Sequence, residues 1–315
     1  MAIQKIRYAD HDEWLRIRRQ YIGGSDAGAI MGMNPYKSAF TLWGEKTGAV
    51  KEFEGNTITE VGAFLEEFVA EQFTRATGLK VQRCNFTLVN DLYPWACANV
   101  DRMVIGEDAI LECKTTNSMV NVKKFRNGEY PEQWYCQMTH YLGVTGKKRA
   151  YLAVLSECRN FYVYQLDRDE DEIAALMRSE EIFWDKVQRN IPPAPDGSDG
   201  TAAAIAEMCG ASNGETIELP GIETLMEQRM MLKDTSDKLK DQIGEIENQI
   251  KLAMGMNENA VCGKWNISWK SQQRRTFDKD KFLADHPESG IEDYFKVTES
   301  RVFRVTESRK KRGAA

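Results

Sequence analysis

The chain has 315 residues, 42% hydrophobic and 29% charged, with a formal net charge of −6; that length allows one large or two modest domains around a real core, and the charged fraction argues for a soluble protein. No apolar run approaches the ~20 residues that span a bilayer, and the start MAIQKIRYADHDEW lacks a signal-peptide core, so no membrane segment and a cytoplasmic location are expected. Cys84, Cys97, Cys113, Cys136, Cys158, Cys209 and Cys262 are scattered without a CxxC pair, which argues against a disulfide framework, a structural zinc site or a four-cysteine iron–sulfur cluster and for buried reduced thiols.

Asp12 to Tyr21 reads as a short helix carrying Trp14, Leu15 and Arg18. Gly23-Gly24-Ser25-Asp26 then combines flexible glycines, an N-cap candidate and a following apolar run, so it reads as a loop opening a helix, and the free N–H groups of a helix start bind anions. It is not a Walker loop, because GxxxxGK[ST] is absent. From Thr57 to Thr77, the residues Val61, Leu65, Phe68, Val69, Gln72 and Phe73 recur at helical spacing, with Glu67 and Glu71 expected in solvent. Gly78-Leu79 ends that helix, and Val81 to Val89 reads as the next strand.

Trp95 to Ile105 and Ala109 to Thr115 read as strands separated by the turn Gly106-Glu107-Asp108. If this hairpin is symmetric about the Gly106–Glu107 bond, Asp101 stands opposite Glu112. Alternation in the strand puts Glu112 and Lys114 on one face and Leu111 and Cys113 on the other. Two carboxylates and an ammonium then converge, a set suited to a divalent metal with hard oxygen ligands such as Mg²⁺, which generates a nucleophilic water near neutral pH. Lys114 could orient that water or stabilise charge on a phosphorane. Thr115 to Trp134 is a polar, basic, loop-like segment with Lys123, Lys124 and Arg126. Tyr135 to Val144 reads as a helix with Gln137 and Tyr141 on one face. Gln137 can hold a phosphate or a water on the metal, Tyr141 buttresses the site, and His140 is structural or DNA-adjacent and not a general base.

Arg149 to Leu155 and Asn160 to Leu166 form a further hairpin, followed by an amphipathic helix over Asp169 to Asn190. The Pro/Gly-rich stretch IPPAPDGSDG (191–200) is the best candidate boundary. Beyond it Leu225, Leu232, Leu239, Ile246 and Ala253 recur every seven residues, joined by Ile243 and Ile250, with Arg229 and Ser236 interrupting the second seam. The helix either packs within the chain, the favoured reading, or joins copies. GKWNISWKSQQRRTF places Trp265, Ile267 and Trp269 on one strand face, with Lys270, Arg274 and Arg275 beyond. Such a stripe is more often the core of a small β-rich module than a nucleic-acid platform. A second strand pair is expected in YFKVTESRVFRVTESRK, where VTESR occurs twice. Residues 260–315 carry 13 Lys/Arg against 8 Asp/Glu, a local +5 that leaves −11 on the rest of the chain, so the global charge does not exclude DNA.

Arg18 with IGGSDAGAIMG (22–32), GAFLEEFVAE (62–71), NVD (99–101), LECK (111–114) and QMTHY (137–141) resemble, in order and spacing, the YqaJ-type viral recombinase family. These are phage exonucleases similar to lambda exonuclease within the PD-(D/E)xK superfamily, and the resemblance runs from about Trp14 to about Leu155. Val100 stands where the family often has proline; valine suits a strand, so the placement of Asp101 is little affected.

The resemblance implies an α/β fold, a restriction-endonuclease-like mixed sheet flanked by helices, followed here by a C-terminal helical segment and a small β-rich module. The expected domains are a nuclease domain 1–190, a linker 191–200, a helical heptad segment 201–258 and a small basic module 259–315. The implied activity is Mg²⁺-dependent, two-metal digestion of one strand of linear duplex DNA, 5′ to 3′, with Mn²⁺ able to substitute. In that scheme Asp101 and Glu112 hold the metals with the Cys113 carbonyl, and Glu66 supports a second ion. Lys114 activates the water, and Arg18, Ser25 and Gln137 position phosphates, Arg18 standing at the family's interval from Ser25. Implied partners are double-stranded DNA ends and a single-strand annealing protein, with a ring-shaped homo-oligomer, in a phage or prophage setting in a bacterial cytoplasm. Two alternatives are a structure-selective or nicking endonuclease of the same superfamily and a non-catalytic DNA-end-binding protein.

Overall fold

Strands that are apolar on both faces need cover on both faces, and the helices flanking them supply it. The computed structural model describes residues 2–287, 290–296 and 303–305 and divides into two units, Met1–Gly210 and Ala211–Ala315. The first unit opens with β1 (Ile3–Ile6), α1 (His11–Arg19), β2 (Ile22–Gly23), α2 (Gly24–Ile30), α3 (Ala39–Thr47) and α4 (Thr57–Thr77). Next come β3 (Val81–Arg83), β4 (Thr87–Asn90), β5 (Tyr93–Ala98), β6 (Arg102–Val104) and β7 (Ala109–Thr116). It closes with α5 (Met119–Arg126), α6 (Glu132–Thr145), β8 (Arg149–Ser156), β9 (Asn160–Asp167), α7 (Glu170–Gln188) and α8 (Asp199–Cys209).

The larger sheet has the order β3-β6-β7-β8-β9. It is mixed, because β7 and β8 run parallel from Ala109↔Arg149 to Thr116↔Ser156 while the other pairs are antiparallel. The parallel pair requires a crossover, which α5 and α6 provide. Alternation then sorts the side chains: Ile110, Ala150, Leu152 and Val154 pack with Met138 and Leu142 of α6. On the other face Leu111, Tyr151, Ala153 and Leu155 pack with Val69 and Phe73 of α4. This is the expected mixed sheet between helices. A smaller sheet, β1-β4-β5-β2, stands beside it.

Five local expectations change. Val81–Val89 is not one strand: β3 pairs with β6 in the large sheet, and β4 with β1 and β5 in the small one. The stretch Trp95–Ile105 is not one strand: β5 pairs in the small sheet and β6 in the large one, and Asn99–Asp101 turn the corner between them. Within the loop-like 115–134 segment Val122 and Phe125 are buried on one face of α5, an amphipathic pattern that the lysines mask. The first half of α4 leaves Ile58, Val61, Phe64 and Phe68 exposed, and its buried residues are Val69, Ala70 and Phe73. The first unit also continues past 191–200, because α8 docks back on α3 through Ala204 against Phe40 and Val50 and through the buried Ser38–Thr201 hydroxyl pair at 2.6 Å.

Helix α6 is buried from Cys136 to Thr145. Its His140 is fully enclosed, with Nδ1 2.8 Å from Glu180 of α7 and Nε2 2.8 Å from the Cys97 carbonyl. The carboxylate and the carbonyl are both acceptors, so an imidazolium donating from both nitrogens satisfies the pair. Burial alone would lower the imidazole's pKa, but Glu180 raises it above its ordinary value. The stabilisation is therefore fully present below about pH 6.5 and is lost as pH rises through the raised value. Removing one partner of such a buried pair costs about 3–5 kcal/mol. In urea titrations the wild type is expected to exceed a His140→Gln variant by more at pH 6 than at pH 9.

The second unit contains α9 (Glu223–Met254), the hairpin β10 (Asn259–Cys262) and β11 (Trp265–Ser268), α10 (Lys279–Asp285) and a 3₁₀ turn over Ile291–Tyr294. The heptad residues Leu225, Leu232, Leu239, Ile243, Ile246 and Ile250 are exposed, so the described residues of this unit give the seam no apolar cover. Trp265 and Trp269 are also exposed, which corrects the expectation that the Trp-Ile-Trp stripe forms a core. Most of the expected strand pair over 294–310 lies outside the described residues. All seven cysteines are free, and Cys158, Cys209 and Cys262 are exposed, not buried. Among the described residues no helix is long and apolar enough to cross a membrane.

Candidate active site

Arg102 pairs with Leu111 across the β6–β7 ladder, so Asp101, one step earlier, falls opposite Glu112 as the hairpin symmetry predicts. The Asp101 Oδ2 accepts the Cys113 N–H at 2.7 Å, which fixes the carboxylate against β7. Glu112 is 3% exposed. Its Oε1 accepts from Lys114 Nζ at 2.6 Å and from Gln137 Nε2 at 2.7 Å, while its buried Oε2 has no hydrogen-bond partner.

Burial raises the Asp101 pKa well above the usual carboxylate range, reinforced by the charges of Glu112 and Glu66. Burial raises Glu112 too, against the pull of Lys114. For Lys114 burial acts downward, but Glu112 and Asp101 outweigh it and hold the ammonium charged. The cluster thus carries more negative charge than its protein partners neutralise, and it holds a buried carboxylate oxygen without a donor. Both features fit a hard divalent cation between Asp101 and Glu112.

Glu66 stands differently. Its Oε1 accepts from Arg102 Nη1 at 2.5 Å, and Glu67 takes Nη2 at 3.1 Å. Glu67 stays exposed as expected, with 57% of its side chain open, while pairing with Arg102 and, at 3.0 Å, with Arg83. Arg102 is 2% exposed and sits on the α4 face of the sheet, so it ties α4 to the β6–β7 hairpin. Among the described residues no three His, Cys, Asp or Glu side chains form a ready metal-binding group. Glu66 would have to exchange Arg102 for an ion in order to join the other two carboxylates. The Cys113 thiol packs into the core under α4 and burial pushes its pKa up, so the backbone carbonyl is the atom this residue can offer a metal.

Gln137 and Tyr141, one turn apart on α6, form a relay. Gln137 Nε2 lies 3.1 Å from the Tyr141 hydroxyl, which donates to the Asn99 carbonyl at 3.0 Å. Gln137 therefore holds Glu112, and Tyr141 holds the corner that carries Asp101. Asn99 is a residue whose role sequence reasoning missed. Its Oδ1 accepts from Trp14 Nε1 at 3.1 Å and from Thr87 Oγ1 at 2.8 Å, joining α1, β4 and α6 at one point. The only sequence signal was its place two residues before Asp101.

Arg18 Nη2 reaches Ser25 Oγ at 2.6 Å and Asp26 at 3.7 Å, bringing together the two residues expected at a phosphate. Ser25 is not the cap: Gly23 is, and Asp26 accepts the Gly23 N–H at 3.0 Å. Buried Asp26 is nonetheless held below the usual carboxylate range, because Lys46 at 2.9 Å and Arg18 outweigh desolvation. Lys46 also donates to the Arg18 and Tyr21 carbonyls at 3.2 and 2.7 Å, so α3 braces the end of α1. Arg19 and Lys37, which line the same cleft, are paired with Glu52 and Glu45. Arg18 keeps 28% of its side chain exposed, and Ser25 is exposed. Gly24, at the start of α2, lets that helix approach α6 closely: a Cβ there would lie 2.4 Å from the Tyr141 ring.

A profile of the YqaJ-like viral recombinase domain matches residues 13–148. The YqaJ protein of Bacillus subtilis (strain 168) is 37% identical over 309 residues, 96% of this chain and 95% of that one. Protein D345L of African swine fever virus (strain Badajoz 1971 Vero-adapted) is 44% identical over 41 residues, 13% of this chain and 12% of its own. In three dimensions the chain is similar to the alkaline exonuclease LHK-Exo of Laribacter hongkongensis, with a TM-score of 0.51 at 17% identity, covering 57% of this chain and 94% of that one. That likeness shows a shared fold.

Proposed function

The chain belongs to the YqaJ-like viral recombinase family, and from that premise we propose that it is a Mg²⁺-dependent exonuclease that degrades one strand of linear duplex DNA, 5′ to 3′, in phage-type recombination. The observation that carries this reading is the middle of β7 and the corner facing it. There Asp101 is fixed on the Cys113 amide, Glu112 keeps a buried oxygen without a donor, and Lys114 stands 2.6 Å from Glu112. The exonuclease names of proteins sharing the fold support it.

A divalent cation bound here would supply Lewis-acid polarisation of the phosphate and a nucleophilic water near neutral pH. Asp101, Glu112 and the Cys113 carbonyl would hold it, with Glu66 supporting a second ion, and Mn²⁺ would serve as well. Lys114, kept charged by its carboxylate neighbours, would orient the attacking water and stabilise charge on the phosphorane. Gln137 would hold Glu112 in position, and Tyr141 would hold the Asp101 corner through the Asn99 carbonyl. Arg18 and Ser25 would take a phosphate near the 5′ end. A single-strand annealing protein as partner, a ring of copies around the DNA and a bacterial cytoplasm as location belong to the same proposal.

The test is digestion of 5′-phosphorylated linear duplex beside covalently closed circular DNA, with and without Mg²⁺, and with Lys114→Ala as control. Loss of the linear DNA alone, only with Mg²⁺ and not with the variant, is the expected result. Cutting of the circle would make the protein an endonuclease, and no metal-dependent cleavage of either would make it a DNA-end-binding protein.

A further inference from the structure

We propose that the β10–β11 hairpin is a stacking platform for single-stranded DNA, an inference that rests on reading the chain as a DNA-processing enzyme. The hairpin register places Cys262 opposite Trp265 and Ala260 opposite Ile267, and the Trp269 N–H continues the ladder to the Glu258 carbonyl at 2.8 Å. Alternation therefore puts both indoles on one face, roughly 13 Å apart along the strand. Ile267 between them is half-buried, but Trp265 is 65% and Trp269 48% exposed. Two large aromatic surfaces held out by an ordered ladder mark a binding face.

Charge selects the occupant. Between Asn259 and Phe277 the sequence has Lys264, Lys270, Arg274 and Arg275 and no Asp or Glu, in a chain whose net charge is −6. Lys264 Nζ lies 5.1 Å from the Trp265 ring, and Lys270 directly follows Trp269. Cations interleaved with open aromatic faces suit a flexible polyanion that also offers π-faces. In duplex DNA those faces are stacked on neighbouring bases, whereas a single strand, such as the strand that the proposed reaction leaves, presents them. Two DNA-binding elements on one chain would also raise the local concentration of the DNA for each.

The experiment uses the full chain carrying Lys114→Ala, so that no strand is degraded, and follows anisotropy of a labelled oligo(dT) of about 20 nucleotides, a few OB-fold site sizes long. Trp265→Ala with Trp269→Ala should weaken binding about tenfold or more and leave the salt slope unchanged, because the phosphate contacts remain. Trp265→Phe with Trp269→Phe should restore most of the affinity, since phenyl rings also stack. Replacing Lys264, Lys270, Arg274 and Arg275 by Gln should instead flatten the salt slope. Equal binding by the Ala variant would overturn the proposal and leave the face to a protein partner. Equal loss in the Phe variant with an unchanged circular-dichroism spectrum, or equal competition by closed duplex DNA, would overturn it as well. Cleavage of linear duplex is scored in parallel with Lys114 intact. If the wild type does not cleave, the nuclease reading alone fails, because the oligo(dT) measurement uses none of its residues.

Discussion

Asp101→Asn is expected to abolish cleavage and, without metal, to make the protein more stable than the wild type. Loss of a charged ligand removes several kcal/mol of transition-state stabilisation, about a thousandfold or more in rate. The gain in stability follows from the sign of the pKa shifts. Asp101 and Glu112 both titrate above their ordinary values, so the folded state loses stability as pH rises and the carboxylates ionise against each other. A neutral amide removes that repulsion while its carbonyl oxygen keeps the bond from the Cys113 N–H. The variant's midpoint should exceed the wild type's by roughly 2–4 °C at pH 8, and the difference should close toward pH 4. Adding Mg²⁺ should raise the wild-type midpoint by mass action and leave the variant unmoved. A variant less stable than the wild type at pH 8 would show that Asp101 contributes more as a hydrogen-bond acceptor than it costs as a charge.

Lys114→Ala is expected to lower kcat by about a hundred- to a thousandfold, the usual effect of deleting one preorganised stabiliser of transition-state charge, with KM little changed. Lys114 pairs with Glu112, a group proposed to hold the metal, so its contribution is expected in the transition state. Its removal also strips Glu112 of the partner that pulls its pKa down. The pH at which half the Mg²⁺-induced thermal shift appears should therefore move upward. Lys114→Arg should not restore the rate, because a planar guanidinium cannot place a single N–H where the ammonium does. A tenfold rise in KM at constant kcat would instead assign Lys114 to ground-state binding.

The β6–β7 hairpin was legible because strand period and turn symmetry are local. Once Gly106-Glu107-Asp108 is read as a turn, Asp101 must oppose Glu112, and Lys114 must share the Glu112 face. The helix over Thr57–Thr77 was legible for the same reason, with its glycine stop at Gly78 in the left-handed conformation. Helix α5 was missed because its two buried residues are outnumbered by three basic ones, Lys123, Lys124 and Arg126, and periodicity reads weakly when the apolar stripe is only Val122 and Phe125 wide.

Other features depend on what lies across space. The break at Asn99–Asp101 arises because β5 and β6 pair in different sheets, and strand propensity does not encode which neighbour a strand will find. Docking of α8 beyond a Pro/Gly-rich stretch depends on a complementary surface on α3. Lys46, which braces Arg18, comes from a helix whose own sequence carries no signal of that role. By itself the sequence determined most of the element types, the family and the converging carboxylates, all set by short-range pattern. Only the tertiary structure decided that Gln137 holds Glu112, that Arg102 holds Glu66, that Asn99 joins α1, β4 and α6, and that the tryptophans of the hairpin face outward. Each of these depends on which groups remain unpaired after the chain has packed, a property of the whole fold and not of any segment.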